Sequence, residues 1–594
     1  MRRLPIALSL VALSATLLPA AQAAKPGATP SGPPATGKPA VTAGAPFDYV
    51  KQLPKLSKVR FETAKEKTSI PAADGTKLYT EVTRPTKAGK YPVILELSPY
   101  HGTLADREGT RIFPGPVDAS NKKIGLTGYF APRGYAVVMV DLRGTGRSGG
   151  CLDHMGPKDQ SDAKAVVEWA ASQPWSNGRV GMTGHSYVGS TPQMAAAQNP
   201  KGLVTIVPSA GLGAMYHHEF QDGVPYNLQW AGPLFAYEQL TVTRHLPPQV
   251  SQYMPAQVGP TGDDFGSTNT ANTGCGGPQS AGVTGEAYMS GQEVGWHRER
   301  DFRKGVTAWK GSVFAVHGVN DNAARIAALD WFHARNGRAG DKAWIGQWDH
   351  GSGCCPTRRG DQFTAVLHAW FDKTLAKRPG VNTGPPAEIF MNDERVLTGK
   401  AWPMAPSRRL NLGVSSKGEL GRTGEAGTVQ YVADGRGFTS EGNTGKVEFT
   451  TEPLATETVL AGLPKLRLSV TVFGERIHLI GSLYDVDEGG KADLISKAGW
   501  AIQPELRDGH EKLTPVIPGT RMDIDLVGQA QAHVVKKGHK LKLVISSSHP
   551  DKVPTFANGA VVQIHTGSGA TSVSLPILDR ARLYKDVPLT GIGT

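Results

Sequence analysis

Cysteine is scarce, with four residues in 594, namely Cys151, Cys275, Cys354 and Cys355. That is too few for a disulfide-stapled small scaffold, and none stands at metal-site spacing from nearby histidines, so no metal site organises the chain. Charge of one sign is never concentrated. Lys and Arg outnumber Asp and Glu by 64 to 52, a net +12, but no run of five like charges occurs, which describes a basic surface and argues against a nucleic-acid groove. Beyond the first residues no stretch approaches the ~18 consecutive apolar residues of a membrane span, so stable membrane insertion is not expected. A repeat of fixed period is missing too, which excludes a solenoid or propeller. No cluster of ligating side chains implies a metal or organic cofactor. What remains is 39% hydrophobic and 20% charged, the balance of a folded chain and not of a disordered one, and the length exceeds one domain. The 72 glycines and 43 prolines point to many turns and a substantial β portion.

Met1-Arg2-Arg3, an apolar run to Leu18 and the small residues Ala21-Gln22-Ala23 follow the order of a secretory signal peptide, 1–23, cleaved after Ala23. The run is bracketed by Pro5 and Pro19, which disfavours a buried helix. Residues 24–46 are Pro, Gly, Ala and Thr with little apolar bulk and read as a linker. The expected localisation is therefore secreted, where thiols oxidise. Four cysteines allow three pairings. A bridge between the neighbours Cys354 and Cys355 is strained, so bridges from these two to Cys151 and Cys275 are preferred.

The segment IPAADGTKLYTEVTRP, 70–85, places Asp74-Gly75 between apolar-rich arms, a hairpin signal. Apolar, β-branched runs at 91–97, 135–141 and 179–183 end in turn residues and predict buried parallel strands. Between the last two, Ala163, Val166, Val167 and Ala170 fall at helical spacing within 159–172. Strand, helix, strand predicts a doubly wound α/β sheet. The alternation lapses over about 207–303, read as a helical cap insertion. It resumes with a strand at 312–318, a helix at 323–336, a strand at 342–347 and a helix at 361–375. Past 385 short alternating strands such as 465–472, 477–486, 539–546 and 561–565 predict an antiparallel sandwich or jelly roll. The expected division is a catalytic domain at 47–380 and an all-β domain at 385–594.

Chemistry concentrates where VGMTGHSYVG, 180–189, runs from an apolar strand through a Gly-Ser turn into a helix. Such a turn lifts a serine hydroxyl above the sheet edge and next to a helix N-terminus able to receive an oxyanion. The usual G-x-S-x-G pattern is broken, because Val188 stands where Gly is expected and Gly189 follows; on this motif alone Ser186 is either a nucleophile or part of a plain turn. A serine needs a base held by an acid. Asp321 follows the strand and turn SVFAVHGVN, and His350 follows WIGQWD, both at C-terminal strand ends where open α/β sheets gather their sites. Asp349 neighbours His350 but should face the other way. His217, His218 and His317 read as structural or cap histidines, and Asp141 and Arg143 as a salt link fixing the loop after a central strand. Gly144, Gly146 and Gly149 lack dinucleotide register, and Asp485 and Asp487 suggest a hairpin turn over a calcium loop.

GHSYVG, HGVND and GQWDHG, with DGTKLYTEVTRP and VVMVDLRGTGRSGG, resemble the Xaa-Pro dipeptidyl-peptidase and cocaine-esterase family of serine hydrolases over about residues 58–570. LPKLRLSV and GHKLKLVISSS resemble its C-terminal jelly roll. The resemblance implies an α/β-hydrolase domain with a cap, Ser186 as nucleophile, Asp321 as orienting acid and His350 as base. It also implies an oxyanion hole from the Tyr187 N–H and the hydroxyl of Tyr100, in LELSPYHG, for which a packing tyrosine with a satisfied hydroxyl is the lesser alternative. Members act on X-Pro peptides or on esters. Val188 stands where the amino-acid ester branch carries Glu, which argues against that branch. An exopeptidase needs a carboxylate for the substrate ammonium; Glu219 and Asp222 are the candidates, with Trp230 and Trp348 for a proline-sized pocket. The first expectation is a secreted Xaa-Pro dipeptidyl-peptidase, the second a secreted carboxylic ester hydrolase. An adhesin with a surface-binding sandwich on a decayed hydrolase is a third reading, disfavoured by the intact Ser, Asp and His spacing.

Overall fold

The continuous apolar runs become the buried strands of one mixed sheet. In this computed structural model, residues 47–585 are described other than 103–104, 111, 113–121, 227–289, 336, 351–354, 434–444, 496–498, 553–558 and 579–582. The expected signal peptide, the expected 24–46 linker, most of the expected cap, Trp230, Cys275 and Cys354 lie outside the described residues. Cys151 is disulfide-bonded, and the pairing expected for it lies outside them as well.

Eleven strands, labelled in chain order, form the sheet: β1 Thr63–Pro71, β2 Lys77–Pro85, β3 Tyr91–Ser98, β4 Ala136–Asp141, β5 Ser176–His185, β6 Leu203–Ser209, β7 Ser312–Gly318, β8 Lys342–Gly346, β9 Ala387–Phe390, β10 Arg395–Gly399 and β11 Leu583–Lys585. Their spatial order is β1-β2-β4-β3-β5-β6-β7-β8-β9-β10-β11. β1 and β2 make the expected antiparallel hairpin, with Gly75 at φ +82° in its turn. From β4 to β9 neighbouring strands are parallel. β3 and β4 are buried at every residue, as strands covered on both faces must be. Alternate residues serve opposite faces: Val93, Leu95 and Leu97 join one core cluster while Ile94 joins another. Helices α1 Pro157–Ser172 and α2 Tyr187–Ala197 pack into the first, and α3 Cys355–Thr374 into the second.

Three expectations need correction. The helix predicted at 323–336 is a 3-10 turn, Ile326–Leu329, followed by a short helix, Asp330–Ala334. Arg325 ahead of it is extended, with φ −59° and ψ 152°, because its side chain reaches Asp551. The sheet does not stop at 380, since β9, β10 and the late β11 extend it; these strands are as short as those of the following all-β part, with four, five and three residues, which hid the boundary. Asp141 and Arg143 do not pair with each other. Asp141 takes His101 and Arg107, and Arg143 takes Asp162 and the hairpin Asp74.

Beyond β10 the described residues form strands and loops with one 3-10 turn, Pro504–Leu506. A nine-stranded and a five-stranded sheet enclose one core in which Leu466, Leu468 and Val470 from the first meet Leu479, Leu483, Leu541 and Leu543 from the second. Asp487 closes a hairpin turn, its backbone bonded to Lys491 and Gly490. Asp485 accepts from His533 and His539. Among the described residues no helix is long and apolar enough to cross a membrane.

Candidate active site

β5 ends at His185, and the next residue, Ser186, is forced into φ 66° and ψ −128° before α2 begins. A non-glycine residue pays strain in that region, and here the surroundings impose it. The Ser186 N–H donates to the Ser209 carbonyl at 3.0 Å, and the Ser186 carbonyl accepts from Gly189 and Ser190. Space is the other constraint. A Cβ at Gly184 would sit 2.3 Å from the Val188 carbonyl oxygen, and one at Gly189 would sit 2.2 Å from that of Ser209. The small residue needed on the helix side is therefore position 189, while Val188 is buried in the core. That accounts for the departure from the G-x-S-x-G spacing.

The turn points the Ser186 hydroxyl at the ends of β7 and β8. His350 Nε2 lies 2.8 Å from Ser186 Oγ. Its Nδ1 lies 2.9 and 3.1 Å from the two carboxylate oxygens of Asp321. Asp321 is 1% exposed and its Oδ1 also accepts the N–H groups of Ala323 and Ala324, at 2.8 and 2.7 Å. Burial pushes the Asp321 carboxyl up, but the neighbouring imidazoles of His350, His317 and His185 hold it below the usual carboxylate range. An ionised Asp321 fixes Nδ1 of His350 as the protonated nitrogen and leaves Nε2 to face the serine. The three residues singled out from separate strand ends are thus brought into one hydrogen-bonded chain.

Around it, the Tyr100 hydroxyl stands 3.5 Å from Ser186 Oγ. Tyr187 opens α2, where backbone N–H groups point out of the helix end. The Tyr187 hydroxyl donates to Asp159 at 2.8 Å and accepts the Met155 N–H. Burial, then the charge of Asp153, pushes the Asp159 carboxyl up to about 7. His185 was not singled out from sequence. Its Nε2 donates to the His350 carbonyl at 3.0 Å, and Nδ1 meets Ser209 Oγ at 3.1 Å, so the residue before the serine props the base loop. Its place as the x of G-x-S was the available signal.

The residues expected to contact substrate are dispersed. Glu219 is 1% exposed, and its Oε2 faces His297 Nε2 at 3.1 Å. Trp348 is 2% exposed, packed against Trp344 and Phe390. Neither presents surface to a ligand in this conformation. Asp222 is about a third exposed and bonded to His510. His218 faces the acid loop, where burial, together with the charge of His350, lowers its imidazole to about 4. No group of His, Cys, Asp and Glu among the described residues has the arrangement of a metal site.

Two family models match this chain. The X-Pro dipeptidyl-peptidase (S15 family) model covers residues 74–352 and contains all three members of the hydrogen-bonded chain. The X-Pro dipeptidyl-peptidase C-terminal non-catalytic domain covers residues 379–573. The chain belongs to the Xaa-Pro dipeptidyl-peptidase and cocaine-esterase family of serine hydrolases. Within this family, a putative Xaa-Pro dipeptidyl-peptidase of Streptomyces avermitilis is 27% identical over 84% of this chain and 78% of its own length. The cocaine esterase of a Rhodococcus species is 23% identical over 86% of this chain and 98% of its own. A CocE/NonD family hydrolase from Staphylococcus aureus superposes with a TM-score of 0.70 at 18% identity, over 87% of this chain and 94% of its own. That likeness gives the fold, an α/β-hydrolase sheet followed by an all-β domain.

Proposed function

We propose that this hydrolase is a secreted serine exopeptidase that releases X-Pro dipeptides from peptide N-termini through an acyl-enzyme. The observation that carries the mechanism is the chain from Ser186 Oγ through His350 to Asp321, with 2.8 and 2.9 Å links. A serine alcohol is barely ionised at neutral pH, so attack on the carbonyl carbon requires His350 Nε2 to take the hydroxyl proton as the Oγ–C bond forms. The ionised Asp321 stabilises the resulting imidazolium. Charge then develops on the substrate oxygen, where the Tyr187 N–H and the Tyr100 hydroxyl donate; each such donor is worth about 2.7–4 kcal/mol in known cases. The imidazolium returns its proton to the leaving amine, and water repeats the sequence to release the acyl group.

The peptide substrate is supported by the S15 match and by the Streptomyces relative's name. Asp222, the solvent-reached member of the expected carboxylate pair, is then the partner for the substrate ammonium. An ester substrate is the second reading. It is favoured by the near-complete coverage of cocaine esterase and by the sealing of Glu219 against His297. The all-β part, taken as a jelly roll, helps close the pocket.

The test is a comparison of Ala-Pro-anilide, its N-acetyl form and aryl esters on the wild type and on Ser186→Ala. The expected result is cleavage of the free-amine anilide alone among the two amides, and a fall in kcat of roughly 10⁶ in Ser186→Ala. Turnover of aryl esters only sinks the peptidase reading, and an undiminished Ser186→Ala sinks the mechanism. For export, sequencing the N-terminus from the culture medium should begin at Ala24; a protein retained inside the cell with Met1 intact removes it.

A further inference from the structure

β3 leaves the sheet at Ser98, and three residues later His101 is fully buried. Both of its ring nitrogens face carboxylates: Nδ1 is 3.0 Å from Asp141 Oδ1, and Nε2 is 3.2 Å from Glu96 Oε1. Ionised carboxylate oxygens only accept, so both nitrogens must carry hydrogen, and the ring is an imidazolium. Glu96 lies on β3 and Asp141 at the end of β4, hence His101 is tied to two neighbouring strands at once. Asp141 is in turn gripped by Arg107 Nε and Nη2 at 2.9 and 2.6 Å and by the Arg147 N–H at 2.8 Å. Two carboxylates against one imidazolium and one guanidinium leave the buried cluster balanced, as burial of charge demands. Burial alone would lower the His101 pKa, but the bonds to Asp141 and Glu96 reverse this and raise it to about 9.

The residue before this clamp is Tyr100, whose N–H donates to Ser98 Oγ at 3.1 Å and whose hydroxyl approaches Ser186 Oγ. We infer that His101 is a positioning residue for Tyr100: its two carboxylate bonds fix the backbone turn that sets where the tyrosine hydroxyl stands over the nucleophile. This rests on the reading of Tyr100 as an oxyanion donor. Fixing matters because an ångström of misplacement at a reacting centre costs about 100-fold in rate. His101 is fully buried, so the clamp acts on the chemical step and not on binding.

A double-mutant cycle tests it, with kcat and KM measured on Ala-Pro-anilide or an aryl acetate, whichever the wild type turns over. Tyr100→Phe should lower kcat about 100-fold. His101→Asn should lower kcat by about 10- to 100-fold with KM unchanged, and should cause no further loss in the Tyr100→Phe background. Equal losses from His101→Asn in both backgrounds, or none in either, overturn the positioning role. Glu96→Gln keeps the shape and weakens one bond; it serves if His101→Asn does not fold, with a smaller fall that must likewise vanish in Tyr100→Phe. An unchanged kcat in Tyr100→Phe alone places the fault in the oxyanion reading and removes the proposal with it.

Discussion

At the scale of single residues, the serine turn shows why sequence spacing and steric need diverge. The G-x-S-x-G pattern asks for glycine at 188, yet the close approach to the Ser209 carbonyl falls at 189. Gly189→Ala should therefore distort the turn, costing about 1–3 kcal/mol of stability together with most of the activity. Thermal melting and a fluorophosphonate labelling rate check it, and normal labelling would contradict it. Asp159 supplies a pH signature. Its folded value of about 7 lies above the ordinary 3.8, so the stability it confers is complete below pH 3.8 and is lost as pH rises through 7. Relative to wild type, Asp159→Asn should gain stability from pH 4 to pH 7 by up to about 1.4 kcal/mol per pH unit. Urea titrations at several pH values measure this, and a constant difference between the two proteins refutes it. The proximity of Ser186, Asp321 and His350 was legible because each follows an apolar run at a strand end. Glu219 was not legible as a buried partner of His297, since nothing near it in sequence announces a histidine 78 residues on.

At the scale of elements, the strands were readable because burial on both faces demands unbroken apolar runs. The helix expected at 323–336 failed for one local and one long-range reason. The Asp321 carboxylate draws in the N–H groups of Ala323 and Ala324, and Arg325 stays extended to reach Asp551 across the molecule. Only the second contact lacks a local sequence signature, since an Asp that takes N–H groups two and three residues on forms an Asx turn. The packing of α3 on the N-terminal segment was equally invisible. Asp372 accepts the Ser57 N–H at 2.6 Å, the Ser57 hydroxyl at 2.9 Å and the Tyr135 hydroxyl at 2.5 Å, while His368 Nε2 meets Ser57 Oγ at 2.7 Å. Burial would raise the Asp372 carboxyl, but His368, Tyr135 and the Ser57 N–H hold it below its usual value. Its contribution is then present above pH 3.8 and lost as pH falls through the folded value. Asp372→Ala should cost about 3–5 kcal/mol at neutral pH, with a smaller penalty near pH 2. An equal penalty at both pH values in calorimetry would remove the charge from the account.

At the scale of the whole molecule, the all-β part is joined to the catalytic sheet by more than a linker. Residues 43–594 form one compact unit, and a single core cluster runs from Val93 and Leu95 of β3 to Val459, Ala532, Val534 and Leu578 of the C-terminal part. Strand β11 returns from residue 583 to pair with β10. Both loops of the candidate site lean on the same neighbour. Gln347, three residues before His350, donates to the Ala532 carbonyl at 2.5 Å, and Arg325, four residues after Asp321, donates to Asp551 at 3.2 Å. The Tyr226 ring lies within 4.6 Å of the Arg325 guanidinium and 3.5 Å of the Lys552 ammonium, and Lys552 donates to Gln221 at 2.7 Å. Burial, then the charge of Arg325, drives the Lys552 amine well below its ordinary value, and its bond to Gln221 anchors it at this junction. Domains that share a core and close each other's polar contacts lose stability together and not in turn. Differential scanning calorimetry should accordingly show one transition for residues 47–594, and Asp551→Ala should lower its midpoint while reducing kcat, because Arg325 next to the acid loop is left buried and unpaired. Two separable transitions, or an Asp551→Ala protein with wild-type kcat, would show that the catalytic sheet stands without the all-β part.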